Sequence, residues 1–272
     1  MKYFLSLYFL LLCLSANAQN LVPNAGFENF LNCPSGLGQV HYYLGLSTVT
    51  TAHHWVSPTL TTPDYFNSCN TGDAGVPLNY RGYYPAHTGN AYAGIIAFDH
   101  ITLDTTDLLH EYIQVKLTEP LQPGLNYMVS CYVRLFITRN MNSIWRQYAL
   151  KEIHASFSTL QPTRNDDMIM MGDVTPMTTP DMSFMNDTAR WVKISGLYHA
   201  TGGEEWLTIG ILNTRKPVGE FIYTSNINEP ERRATSYYAI DDVNVQYVAC
   251  DTVFNSSDTA ICSINPDITI YT

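Results

Sequence analysis

Basic residues are scarce in this chain: 14 Lys and Arg face 24 Asp and Glu in 272 residues, a formal charge of −10, and none lies between Leu21 and Tyr80. A surface for nucleic acid or anionic lipid needs clustered Lys and Arg, so both partners are excluded, while uncharged or cationic partners stay open. Beyond the first 18 residues no apolar run is long enough to span a membrane as a helix. Internal repeats and low-complexity runs are absent. So are the local signatures of common chemistries: a G-x-S-x-G elbow, an H-E-x-x-H helix, a P-loop and a dinucleotide fingerprint. A glycosidase pair leaves no such signature, because its two acids are defined by separation in space. Carboxylates are plentiful, so that class stays open, and a non-catalytic chain is the expectation.

What is present begins with a leader. Met1 to Ala18 carry one Lys, a long apolar run and Ala16-Asn17-Ala18 before Gln19, the layout of a secretory signal peptide. A lipoprotein would use Cys13, but Leu12 stands where a small residue is required. Export to the outside or to the cell surface is therefore expected, with a β domain over 19–248 and a polar tail over 249–272. Cleavage leaves five cysteines. Cys131 falls in register with Val129, Val133 and Leu135 and is expected as a buried thiol. Cys33, Cys69, Cys250 and Cys262 lie in loops or the tail, and Cys33–Cys69 with Cys250–Cys262 is the simplest of three pairings. Zinc is the alternative, but the spacings match no zinc ribbon or finger.

At 46% hydrophobic, the chain can bury a sizeable core as one domain. From Leu31 to Arg81 it is rich in Pro, Gly, Thr and Asn, which predicts long loops held by a bridge, with Trp55 in the core. Adjacent His53 and His54 on a strand face opposite sides and cannot easily share a ion. Tyr42, in His41-Tyr42-Tyr43, and Tyr83 and Tyr84, in Tyr80-Arg81-Gly82-Tyr83-Tyr84, are the loop candidates for a binding surface; the other reading of these aromatics is loop packing. Alternation predicts strands over Asn90–Ile96, Glu111–Leu117, Tyr127–Leu135, Trp191–Tyr198 and Trp206–Leu212, hence a two-sheet sandwich. A short helix carrying Trp145 is expected over Ser143–Ile153. Residues Gln161 to Asp187 read as a long excursion whose methionines pack on the sandwich.

The stretch Tyr237-Tyr238-Ala239-Ile240-Asp241-Asp242-Val243-Asn244-Val245 reads as a strand whose alternation sets Asp241 on one face with Val243 and Val245. A carboxylate on an apolar face needs a partner. No Lys or Arg is near in sequence, and Asn24-Ala25-Gly26-Phe27-Glu28 offers a second carboxylate. Two carboxylates without a cation suggest a bound cation.

The N-terminal Asn24-Ala25-Gly26-Phe27-Glu28 and the C-terminal Tyr238-Ala239-Ile240-Asp241-Asp242-Val243 resemble the two ends of galactose-binding-like jelly rolls typified by carbohydrate-binding module families 4, 9 and 22. Leu121-Gln122-Pro123-Gly124-Leu125-Asn126-Tyr127 and Trp191-Val192-Lys193-Ile194-Ser195-Gly196 resemble their interior hairpin and strand. The landmarks Cys33-Pro34-Ser35, Pro63-Asp64-Tyr65-Phe66-Asn67-Ser68-Cys69 and Gly202-Gly203-Glu204 resemble a group of secreted Bacteroidetes proteins. The resemblance implies an all-β, two-sheet antiparallel jelly-roll β-sandwich with long loops. It also implies a structural Ca²⁺ held by Glu28, the Gly26 carbonyl, the Asn90 carbonyl and Asp241 or Asp242. A non-catalytic glycan-binding module with Tyr83, Tyr84, Trp145 or Tyr42 stacking on sugar is the function it implies; a structural or adhesive surface protein with no sugar site is the alternative. Asp104-Thr105-Thr106, Asp187-Thr188-Ala189, Asp251-Thr252-Val253 and Asp258-Thr259-Ala260 resemble the O-glycosylation acceptors of exported Bacteroidetes proteins, or arise by chance in a Thr-rich chain.

Overall fold

The computed structural model describes residues 19–40, 51–100, 108–137, 139–140, 143–144, 146–165, 169–214, 216–222, 234–248, 263–265 and 268–269. These residues are all-β, with no helix among them. In chain order the strands are β1 Trp55–Val56, β2 Asp64–Asn67, β3 Leu78–Asn79, β4 Gly82–Tyr83, β5 Ala91–His100, β6 Leu108–Leu109, β7 Ile113–Lys116, β8 Asn126–Leu135, β9 Arg139–Asn140 and β10 Ser143–Ile144. They continue with β11 Arg146–Leu150, β12 Ile153–Ser158, β13 Thr175–Met177, β14 Val192–His199, β15 Trp206–Gly210, β16 Gly219–Ile222, β17 Ala234–Val248, β18 Ser263–Asn265 and β19 Ile268–Thr269. One sheet has the order β1-β7-β15-β12-β13, and the larger has β14-β8-β17-β11-β16 with β5, β2 and β6 joined beside β17. From β7 onward the chain passes back and forth between the sheets, β7 to β8 to β12 to β14 to β15 to β17, which is the crossing pattern of a jelly-roll sandwich.

The core fills the space between the sheets. Along β7, Ile113 and Val115, followed by Leu117, face it, as the alternation predicts. Tyr112 points to the other face, into a small cluster with Met170 and Leu212. Cys131 is buried and free, and burial pushes its thiol well up from the ordinary range. Trp55 is fully buried. Cys33 and Cys69 are bonded, with Cα atoms 6.0 Å apart and a separation of 36 in sequence; on the chain-entropy model such a bridge stabilises by about 3 to 4 kcal/mol. Cys250 and Cys262 lie outside the described residues.

Three details differ from the sequence reading. No helix forms where Ser143–Ile153 suggested one: the described part is strand, with β11 pairing β16 antiparallel and β17 in parallel. The segment prefers strand because Gln147, Tyr148, Ala149 and Leu150 find open edges on both sides and bury almost completely there. The excursion over 161–187 contains β13 and buries Met170, Met177 and Met185, while Met171 and Met182 stay exposed. Third, β17 does not alternate uniformly. A bulge lies between Asp241 and Asn244, with Asp242 in the left-handed region at φ 49°. Tyr238 and Ile240 face the core before it and Val243 and Val245 after it, so Asp241 lies on the opposite face from these valines. The extra residue resets the register, and Asp tolerates that backbone conformation better than most residues.

Candidate functional site

The outer face of the larger sheet is covered by a loop instead of a third layer. After β2 the chain turns, makes the short β3–β4 hairpin and returns along the sheet to β5. Tyr84 N–H donates to the Pro77 carbonyl and Tyr80 N–H to the Asp73 carbonyl. Beneath it lies a second aromatic core of Phe66, Tyr84, Tyr92, Phe136 and Tyr237. Tyr84 stacks on Phe136 with ring centroids 3.8 Å apart, and such pairs add about 0.5 to 1.5 kcal/mol beyond the area they bury. Tyr92 Oη donates to the Tyr84 carbonyl and accepts from Asn79 Nδ2, and Trp191 Nε1 donates to the Pro85 carbonyl. Every polar tip in this apolar patch is thereby engaged, which fixes the roof.

At the hairpin edge a cleft of about 220 Å³ opens, lined by Tyr83, Tyr84, Arg81, Arg134, Ile137 and Thr188 among others. Tyr83 is 68% exposed, whereas Tyr84, its neighbour on β4's continuation, is buried at 7% and lines the cleft from beneath. No two exposed aromatic rings stack on each other among the described residues. Arg134 lies over the Tyr84 ring at 4.6 Å and its Nε donates to the Thr188 carbonyl at 3.0 Å. Arg81 lies over the Tyr237 ring at 3.5 Å. Behind Arg81 are two buried acids. Asp64 accepts from Tyr237 Oη and Gly38 N–H, and Glu111 accepts from Ile96 N–H. Burial, then the charge of Asp64, pushes Glu111 up to about 8, with Arg81 pulling the other way; Asp64 is raised by burial too. At 6% and 3% exposure these acids are shut away from a substrate, and the nearby Arg81 charge partly offsets the burial that favours their neutral forms.

The predicted cation ligands gather at the other end of the same roof. In the Asn24–Glu28 turn, Asn24 and Phe27 take positive φ of 51° and 60°, and the Asn24 side chain bonds Asn29 and His53, which curls the segment tightly. Phe27 then buries against Trp55 at 4.7 Å. Leu21 N–H donates to the Val245 carbonyl and Val243 N–H to that of Ala25, laying the segment along β17. A Cβ added at Gly26 would meet Asp242 Oδ1 at 3.2 Å, Asp241 Oδ1 at 3.7 Å and Glu28 Cγ at 3.8 Å. Glu28 Oε1 accepts from Asn90 and Ala91 N–H, and Asp241 Oδ2 from His87 and Thr88 N–H. Asp242 binds His87 Nδ1 at 2.6 Å and Thr88 Oγ1. Burial, then the charge of Asp242, pushes Asp241 up to about 8.

Two carboxylate oxygens, of Asp241 and Asp242, approach Gly26 with no Lys or Arg among their described partners, a donor type that suits a hard cation, while the Glu28 carboxylate lies against Gly89. No group of three His, Cys, Asp or Glu side chains among the described residues forms a ready cage. An ion here would therefore draw on carbonyls and water for its remaining oxygens. Asn90 differs from its expected role in one respect: it meets Glu28 through its N–H, and its carbonyl accepts from Ser68 N–H.

Tyr42 and Trp145 lie outside the described residues. Of the four acceptor-like triplets only Asp187-Thr188-Ala189 is described; Asp187 caps the N–H groups of Ala189 and Arg190. Sequence reasoning missed Arg81 and Arg134 because it sought aromatics. A signal existed for Arg134: it is the one charged residue in the otherwise uncharged β8, at an outward position between Val133 and Leu135.

Fold and site together define a β-sandwich module with a small basic cleft under a loop roof. No family model and no curated protein matches the chain. Among solved structures, it is similar to the CBM22-1–GH10 modules of the Clostridium thermocellum endo-1,4-beta-D-xylanase 10B complexed with xylohexaose, at 14% identity and TM-score 0.34, covering 74% of this chain and 27% of that one. It is similar to the enzymatically active domain of tailspike protein 4 of bacteriophage CBA120, at 9% identity and TM-score 0.33, covering 84% and 21%. The K1 cleaved adhesin domain of Lys-gingipain from Porphyromonas gingivalis W83 also matches, at 10% identity and TM-score 0.26, covering 68% and 89%. The chain thus spans about a quarter of the first two. Likeness at this level says nothing of ligand or activity, so the site is read from its own residues. No helix of the described residues is long and apolar enough to cross a membrane.

Proposed function

We propose that this chain is an exported, non-catalytic glycan-binding module acting outside the cell or on its surface, with the cleft beside the β3–β4 hairpin as its site. The observation that carries this reading is the juxtaposition of a highly exposed Tyr83 with a polar cleft whose floor is fixed by the second aromatic core. An aromatic face beside a few convergent polar groups suits a sugar ring, whose C–H face stacks and whose hydroxyls bond. The absence of local catalytic signatures and the closure of Asp64 and Glu111 favour binding over hydrolysis.

Within the same proposal, a structural Ca²⁺ joins Glu28, Asp241, Asp242 and the Gly26 carbonyl, fastening the N-terminal segment to β17 and stabilising the fold by mass action. When bound it would supply neutralising charge, and no reaction step. A glycan array probed with the full chain and with Tyr83→Ala tests the function: binding by the first and loss in the second is expected. No binding to any glycan would leave the alternative, a structural or adhesive surface protein with no sugar site.

A further inference from the structure

We infer that the cleft takes a sugar bearing a carboxylate, with Arg134 as the partner of the anion. This rests on the cleft being a glycan site and names the class of glycan.

In a chain of charge −10, two arginines line one cleft of about 220 Å³. Their surroundings differ. Arg81 has Asp64 and Glu111 close behind it, near enough for its charge to act on both. Arg134 is more than nine-tenths buried, at 8% exposure, and no carboxylate reaches ion-pair distance of it among the described residues. Its guanidinium is met by the Thr188 carbonyl and the Tyr84 ring. Asp187 attracts it through space, but that carboxylate is already bonded to Arg190 Nε and to two N–H groups. Burial accordingly pulls the Arg134 pKa down.

A buried cation without a contacting counter-ion is costly unless something else neutralises it. Cation–π contact with Tyr84 offsets only part of that cost. The group best matched to a guanidinium fork in a cleft is a planar carboxylate, through charge-assisted and often paired hydrogen bonds. A neutral sugar would leave the charge as it is. A carboxylate carried by the ring itself, as in a uronic acid, would bring the anion to Arg134 while the ring faces Tyr83 on the rim.

Calorimetric titration of the full chain with a tetramer of galacturonic acid and with its fully methyl-esterified form, which keeps the ring and removes the charge, tests this, alongside an array of sialylated, sulfated and neutral glycans. We expect carboxylated glycans to bind, their neutral counterparts to bind about tenfold more weakly or worse, and affinity to fall with salt. Arg134→Gln should lose about the same factor. If that variant fails to fold, the acid-to-ester ratio and the salt dependence of the natural chain decide alone. Equal affinity for acid and ester, a preference confined to sulfated glycans, or unchanged acid binding by a folded Arg134→Gln overturns the inference. In each of those cases loss of binding in Tyr83→Ala keeps the glycan reading standing. Absence of binding to every glycan overturns both.

Discussion

The loop between β2 and β5 covers one sheet face, and its two ends solve the same problem with opposite charge. At the hairpin end the roof rests on stacked rings, and the polar remainder is cationic, Arg81 and Arg134 around a cleft. At the β5 end it rests on backbone N–H groups of residues 87–91, and the polar remainder is anionic, Glu28, Asp241 and Asp242 around Gly26. A loop roof brings backbone polar groups onto a sheet and each must be paired. The aromatic end pairs them internally and leaves Arg134 with no contacting carboxylate among the described residues, whereas the acidic end spends its N–H groups on carboxylates. In our account one end waits for an anionic ligand from outside and the other for a metal ion.

The substitution that breaks this comparison most severely is Phe136→Ala. Phe136 is fully buried and contacts Tyr84, Tyr92, Phe66 and Tyr237. Chemical denaturation should show a loss of about 3 to 5 kcal/mol and the cleft should no longer bind. The variant's melt should still respond to chelator, because the acidic end shares none of these rings.

Gly89→Ala is the converse. Gly89 has φ 62°, and a Cβ there would sit 2.3 Å from Glu28 Oε1, so Glu28 must leave Asn90 and Ala91. We expect a loss of about 1 to 3 kcal/mol. More tellingly, the natural chain should melt lower in EDTA and recover with Ca²⁺, and Gly89→Ala and Glu28→Ala should not. A natural chain whose melt ignores both, with no metal by elemental analysis, would remove the ion from the account.

Titration is a gentler probe, and it acts on both ends alike: Asp241 at the acidic end and Glu111 behind the hairpin end are each pushed up to about 8 by burial. Glu111 stands at about 8 in the fold against an ordinary 4.5, so its contribution is fully present below pH 4.5 and is lost as pH rises toward 8. Glu204 runs the other way. Burial opposes its charge, but hydrogen bonds from Thr201 and Tyr198 hold it at about 2. Its contribution is present above pH 4.5 and lost as pH falls toward 2. Melting temperature should therefore peak in mild acid, and Glu111→Gln should make the alkaline limb shallower, Asp241 supplying the remainder, without touching the chelator response.

Tyr83→Ala should change stability least, within about 0.5 kcal/mol as for an exposed residue, while abolishing binding on the array. A large stability loss there would make Tyr83 a packing residue and sink its role as a platform.

The sequence carried the acidic end further than the cationic one. Asn24-Ala25-Gly26-Phe27-Glu28 and Asp241-Asp242 were legible as acids without a nearby Lys or Arg in sequence, although the bulge sets Asp241 on the face opposite Val243 and Val245. What alternation alone could not show was the bulge, since Asp241-Asp242-Val243 satisfies period two on paper and only pairing with β8 forces the extra residue. The cleft was half visible. Tyr83 and Tyr84 were found as aromatics in a loop, but which of them is exposed depends on Phe136, far along the chain. Arg134 was overlooked inside an apolar strand whose outward face carries a second core. Ser143–Ile153 was misread because edge pairing with β16 and β17, both distant in sequence, outweighed local preference.

The claim that ligand enters at the hairpin end, and not at the acidic end of the same roof, is tested most directly by hydrogen exchange. Amides should be followed in the full chain with and without a sugar selected on the array. The account predicts slowed exchange across 81–84 and 134–137 with no change at 26–28 and 87–90. Protection elsewhere on the sandwich, with the amides of 81–84 and 134–137 unaltered, would contradict it.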